Sequence, residues 1–124
     1  MAYCSLDEFK LLVRDGRWSY LNERRAFKTM RKLDWTDDNV AEVLLGLSER
    51  HDFQKQVRNC EINDFPGQDR IDADQYEIHW NEDEKMGKNS PMGGTVSLSL
   101  KIAIAEDVDG SFAGLVSFHL SGSP

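Results

Sequence analysis

An α+β domain, with N-terminal helices packed on one face of a C-terminal antiparallel β-sheet, is the fold class this sequence predicts, on three observations. The first half carries apolar residues at helical spacing behind capping signals. After Ser48 the apolar period changes from 3.6 to 2. In the last third, strict alternation is followed by a turn and a returning strand, which puts the sheet at the C-terminal end. A chain of 124 residues can bury one core and is too small for two, so residues 1–124 are read as a single domain.

Ser5-Leu6-Asp7-Glu8 is a capping box leading into the stripe Leu6, Phe9, Leu12 and Val13, with Gly16 as a natural stop. A second amphipathic stretch runs from about Asn22 to Leu33, with Ala26, Met30 and Leu33 on one side. Thr36 caps the third, Asp37 and Asp38 suit its positive end, and Val40, Val43, Leu44 and Leu47 form its buried stripe. Phe53–Ile62 and Tyr76–Trp80 alternate loosely and are predicted strands. The segments from Asn63 to Asp74 and from Met86 to Gly94 are predicted loops, marked by Pro66-Gly67 and by Asn89-Ser90-Pro91.

From Thr95 to Ile104, Val96, Leu98, Leu100, Ile102 and Ile104 fall on one face and Ser97, Ser99, Lys101 and Ala103 on the other. Asp107-Val108-Asp109-Gly110 breaks the chain before the returning strand, Leu115–Leu120. A hairpin centred near Asp109 pairs Ile102 with Val116 and Leu100 with Phe118 on the apolar face. The same register sets His119 opposite Ser99 and Ser117 opposite Lys101, so His119 and Lys101 can reach one phosphate. Helices are expected to cover the apolar face and leave the polar face open.

Hydrophobic residues make up 40% and charged residues 30% of the chain, which argues for a folded globular protein. No stretch approaches the apolar length of a membrane span, and no basic-then-apolar leader follows Met1, so a cytoplasmic protein without membrane association is expected. Cys4 and Cys60 form no motif and are read as reduced thiols. The net charge of −7 is unusual for a nucleic-acid binder, but it is unevenly spread. Residues 1–60 hold 11 Lys and Arg against 10 Asp and Glu; residues 61–124 hold 4 against 12. Arg14, Arg17, Arg24, Arg25, Lys28, Arg31 and Lys32 crowd one segment. Singly each is an ordinary solvated charge; together they can contact phosphate.

The residues also suggest a family. Glu42-Val43-Leu44-Leu45-Gly46-Leu47-Ser48 followed by Asp52-Phe53-Gln54-Lys55 resembles the centre of MqsR-type toxins. The opening Met1 to Lys10 resembles the start of many members, and Leu100-Lys101-Ile102 with Val116-Ser117-Phe118-His119 is similar to the last two strands. The resemblance covers nearly the whole chain, with residues 60–94 its weak part. It implies a fold similar to RelE-type ribonucleases and a metal-independent endoribonuclease that cuts mRNA. It further implies a cognate antitoxin as protein partner, with no DNA binding by the toxin alone and no cofactor. Lys55, Lys101 and His119 match functional or sheet-facing positions, and Asn81 corresponds to a polar residue after the second-strand Trp. The family's best-known branch has Lys where His119 stands, and Tyr or Lys is usual where this chain has Ser97 and Ser99.

RNA cleavage without a metal uses the neighbouring 2′-hydroxyl as nucleophile and needs a base, an acid and a cation for the developing charge. His119 is the expected base or acid, because imidazole changes charge near neutrality. Lys101 and Lys55 are expected to supply positive charge, with Ser99 and Ser117 as donors, and Asn81, Ser117, His79 and Arg58 to contact RNA. A solvated strand-end histidine and a solubilising lysine are the plain alternatives for His119 and Lys101. No metal site is expected: His51, Cys60, His79 and His119 lack paired ligand spacing, and Asp72-Ala73-Asp74 lacks the Gly and Glu of a calcium loop. The competing class is a noncatalytic module that engages only a protein partner, which the acidity and Ser97/Ser99 favour. An open positive patch uniting Lys55, Lys101, His119 and the basic helix, uncapped by Glu82, Asp83 and Glu84, would separate the two.

Overall fold

Local capping chemistry sets the helices. The computed structural model describes residues 2–121. Helix α1 (Leu6–Arg14) begins behind Ser5, whose hydroxyl accepts from the Glu8 N–H at 3.2 Å. Gly16, at φ 75°, supplies the left-handed turn that ends it. Helices α2 (Glu23–Leu33) and α3 (Asp37–Gly46) follow, and the Thr36 N–H donates to Asn39 Oδ1 at 2.8 Å at the start of α3. A single further turn, α4 (Glu49–Asp52), escaped the periodicity because four residues carry too little of it.

Among the described residues six strands form one open sheet: β1 (Trp18–Tyr20), β2 (Phe53–Glu61), β3 (Arg70–Asn81), β4 (Met86–Lys88), β5 (Thr95–Asp107) and β6 (Gly110–Leu120). Their order is β1-β6-β5-β3-β2, with β4 paired to the far end of β3. The α+β class stands, but the sheet is mixed rather than antiparallel. Short β1 runs parallel to β6, through Trp18–Ala113, Ser19–Gly114 and Tyr20–Leu115, inside the half expected to be helical. Both expected loops also give up residues to the sheet, at Arg70–Asp74 and at Met86–Lys88.

The helices cover one face. Phe9, Val40, Val43 and Leu44 meet Tyr76, Ile78, Leu98, Leu100 and Ile102 in a fully buried core, each such side chain contributing roughly 1.5–3 kcal/mol. Gly46 is required here, because a Cβ would come within 2.6 Å of the Trp80 ring. The N-terminal segment is strapped to the same face by buried Asp74. Its carboxylate accepts from the Tyr3 N–H at 2.7 Å, the Cys4 N–H at 3.0 Å and the Cys4 thiol at 3.3 Å. Burial, then the bond to Asp74, push that thiol up to about 12, so Cys4 is a structural, unreactive group. Cys4 and Cys60 are both free thiols.

The β5–β6 register differs from expectation in one half. Asp107 pairs with Gly110 across a two-residue turn, and Ile102 therefore faces Leu115 instead of Val116. A bulge between there and Lys101–Ser117 adds Val116 as an extra residue, after which Leu100–Phe118 and Ser99–His119 pair as expected. The tight turn and the polar pairs demand registers one residue apart, and the bulge reconciles them.

The second face is only partly open. Leu21, Ile62, Ala73, Ala103, Ala105, Phe112 and Val116 make a smaller core there, with Cys60, Phe65 and Ile71 against it. The loop after β2 and the β1–α2 link therefore cover the turn end of the hairpin. The open polar area is confined to the other end, where His119 and Lys101 lie.

Candidate functional site

Strand pairing aligns polar side chains in rows across that open area. Lys55, Gln75, Lys101 and Ser117 form one row, from β2 through β3 and β5 to β6. The next row is Glu77, Ser99 and His119, and the third brings His79 beside Ser97. Directly opposed residues have Cβ atoms about 4.5–5.5 Å apart and diagonal ones about 7–8 Å, so Ser99, Lys101, Ser117 and His119 surround one small area. Lys55 lies two strands from Lys101, about 10 Å at ordinary strand spacing, and is exposed on the sheet edge.

Each of these groups has a distinct environment. His119 donates through Nδ1 to the Leu120 carbonyl at 3.1 Å. Ser99 is buried at 6% exposure, and the Ser117 hydroxyl is buried without a hydrogen-bond partner among the described residues. Lys101 stands close enough to Cys60 that its ammonium opposes the upward push of burial on that thiol. None of the ion pairs among the described residues involves Lys55 or Lys101.

A groove of about 430 Å³ opens at this end of the hairpin, with Lys101, Ser117 and His119 on its floor and Arg25, Lys28 and Lys32 of α2 as its wall. The wall is bonded to the floor: the buried Thr29 hydroxyl donates to the Phe118 carbonyl at 2.9 Å. Asn22, just before α2, donates to the carbonyls of Val116 at 2.8 Å and Glu61 at 2.9 Å and accepts from the Asn63 N–H at 3.1 Å. It thereby satisfies the bulge residue. With Asn22 so engaged, the α2 N-terminus takes its cap from Asp64, which accepts from the Glu23 N–H at 2.7 Å.

The other expected site residues divide. His79 reaches Ser97 Oγ through Nδ1 at 2.7 Å and lies at the floor's edge, beside a second cavity of about 290 Å³ that also touches His51, Asp52 and Glu77. Burial pushes the Asp52 carboxyl up, against a bond from the Ser48 N–H and the nearby His51, His79 and Lys10. Asn81 is occupied by the β3–β4 turn, its side-chain oxygen accepting from the Glu84 N–H at 2.8 Å. Arg58 stands apart from the rows and contacts the Tyr3 hydroxyl at 3.4 Å. Glu82, Asp83 and Glu84 do not line the groove; Glu82 accepts from Trp35 and Glu84 pairs with Lys88 at 2.6 Å.

Glu77 was missed by sequence reasoning, although its parity with His79 and Asn81 carried the signal. No three His, Cys, Asp or Glu side chains come together as a metal cage among the described residues, and no helix there is long and apolar enough to cross a membrane. Compared with known protein families, curated proteins and solved structures, the chain has no match. The arrangement offers an imidazole and an ammonium on a space open to solvent, while Ser99 and the Ser117 hydroxyl, expected as donors, are buried beside them. That set can take a proton, give one back and neutralise an anion.

Proposed function

We propose that this chain is a metal-independent endoribonuclease of the MqsR type, with a RelE-like fold, acting on mRNA in the cytoplasm and held in check by a cognate antitoxin. The single observation that supports it most is the placement of His119 and Lys101 together on the floor of one open groove, with Ser99 and Ser117 paired beside them in the sheet. In this reading the unprotonated Nε2 of His119 takes the 2′-hydroxyl proton. The 2′-oxygen then bonds to phosphorus while the bond to the 5′-oxygen breaks. That oxygen leaves with a proton taken from water, giving a 2′,3′-cyclic phosphate and a 5′-hydroxyl, and His119 returns its proton to solvent. Lys101 balances the charge on the phosphorus oxygens, and the buried Ser99 and Ser117 hydroxyl support the floor beside it. DNA, lacking the 2′-hydroxyl, is no substrate. Lys55 sits too far away for the same phosphate and serves a neighbouring one.

The net charge of −7 favours a second reading, a noncatalytic module that binds an antitoxin or other protein partner. Purified protein incubated with RNA in EDTA decides between them. Cleavage to cyclic-phosphate ends, lost in His119→Ala and in Lys101→Ala, supports the nuclease. A folded wild type that leaves RNA intact overturns it.

A further inference from the structure

Helix α2 carries Arg24, Arg25, Lys28, Arg31 and Lys32 within 11 residues against the single acid Glu23. All five are exposed, and none is in an ion pair or a side-chain hydrogen bond among the described residues. In a chain that is otherwise strongly acidic, this is an uncompensated positive surface. Arg25, Lys28 and Lys32 recur at i, i+3 and i+7, which puts them on one helix stripe, and that stripe is the groove wall beside His119 and Lys101. The buried Thr29 fixes the stripe against β6.

Two features argue against a merely solubilising role. The chain has an excess of acids for solubility, and cations there add nothing to it. Arg25 also lies in the first turn of α2, where the positive end of the helix dipole disfavours a cation. A helix built for stability would place an acid at that position.

We propose that the Arg25–Lys28–Lys32 stripe is a phosphate-backbone track for single-stranded RNA, holding the strand next to the bond over the His119–Lys101 floor. This rests on the nuclease reading for the identity of the polymer. Arg25 to Lys32 spans about 10 Å along the helix, enough for more than one phosphate of an extended strand. A single strand is required because the 2′-oxygen must line up with the departing 5′-oxygen, an alignment that a regular duplex prevents. The track reads charge and spacing and no bases, so it adds affinity to every sequence alike.

The test uses the full chain and a fluorescent 2′-O-methyl oligouridine of about twelve nucleotides, which cannot be cut through the 2′-oxygen. Binding is followed by anisotropy across a salt series for wild type, Arg25→Ala/Lys28→Ala/Lys32→Ala, and the charge-matched control Arg14→Ala/Arg31→Ala/Arg50→Ala. The expected result is at least a tenfold loss of affinity in the groove variant near 0.1 M salt. Its plot of log affinity against log salt should flatten by about 2, the effect of losing three contacts to single-stranded phosphates, with far smaller changes in the control. No binding by wild type, equal losses in both variants, or an unchanged groove variant overturns the track. So does a groove variant that keeps RNA but loses a polyglutamate peptide, which would assign the stripe to an acidic protein. The two readings fail separately. If wild type leaves unmodified RNA intact yet only the groove variant loses the oligonucleotide, the nuclease falls and the track stands. If wild type cuts RNA and the groove variant binds like wild type, the reverse holds.

Discussion

The imidazole of His119 and the carbonyl of Leu120, one residue on, are joined at 3.1 Å. A carbonyl only accepts, so Nδ1 carries the hydrogen and the neutral ring keeps its lone pair on Nε2. The strand's own backbone thus selects the tautomer needed for a base. His119→Ala is expected to lower RNA cleavage by about 10²–10⁴-fold while leaving the far-ultraviolet circular dichroism unchanged. Equal activity in the variant, measured on end-labelled RNA, would remove His119 from the chemistry.

Asn22 is the most heavily used polar side chain near the groove, with three hydrogen bonds that tie it to the end of β2 and to β6. Asn22→Ala leaves the Val116 carbonyl without this donor in a buried place and should cost about 2–4 kcal/mol in urea unfolding. Asn22→Asp should fare little better, because both lost bonds to carbonyls need the amide hydrogens. A loss under about 0.5 kcal/mol would show that water replaces the side chain.

Gly46→Ala forces a methyl to within 2.6 Å of the Trp80 ring, a rigid and buried neighbour. Helix propensity alone would make this change favourable by up to about 1 kcal/mol. Overpacking wins, and a net loss of about 1–3 kcal/mol is expected in the same assay.

Much of the fold was legible in the sequence where a local rule acts over several residues. Ser5 and Thr36 announced their helices, and alternation from Thr95 announced β5. The Ser99–His119 and Lys101–Ser117 pairs came from that pattern alone. What stayed hidden depends on distant partners. β1 is too short to show a period, and its partner strand lies at the other end of the chain. The bulge at Val116 arises from competition between a turn and a set of side-chain pairs. The smaller core draws Leu21 and Phe65 from segments that read as connections. The basic helix was visible as a charge cluster, but a stripe does not reveal which strand it stands beside.

Asp52 provides a pH test with a definite sign. Its carboxyl is held above the usual range, mainly by burial, so the folded state binds that proton more tightly than the unfolded chain. The associated stability is present at low pH and lost as pH rises through the folded value. Asp52→Asn can still accept from the Ser48 N–H, which contacts Asp52 Oδ2 at 2.7 Å, and lacks the buried charge. Its melting temperature should exceed wild type at pH 7, and the gap should close toward pH about 4. A lower melting temperature at pH 7 would mean that attraction to His51, His79 and Lys10 outweighs burial.

Arg25→Glu separates stability from binding. An acid in the first turn of α2 should stabilise the helix by about 0.3–1 kcal/mol, seen as a higher melting temperature. The same variant should lose more RNA affinity than Arg25→Ala. A variant that is both less stable and unchanged in binding would contradict both expectations.

The hydrogen bonds from Asn22 to Val116 and from Thr29 to Phe118 have a thermodynamic consequence for anything that enters the groove. They fix helix and strand to each other before a ligand arrives, so the width of the opening is already set. Little conformational entropy of the protein is then lost on binding, and the ordering cost falls on the flexible ligand. A stiffer or already extended ligand should therefore bind more tightly with no new contact.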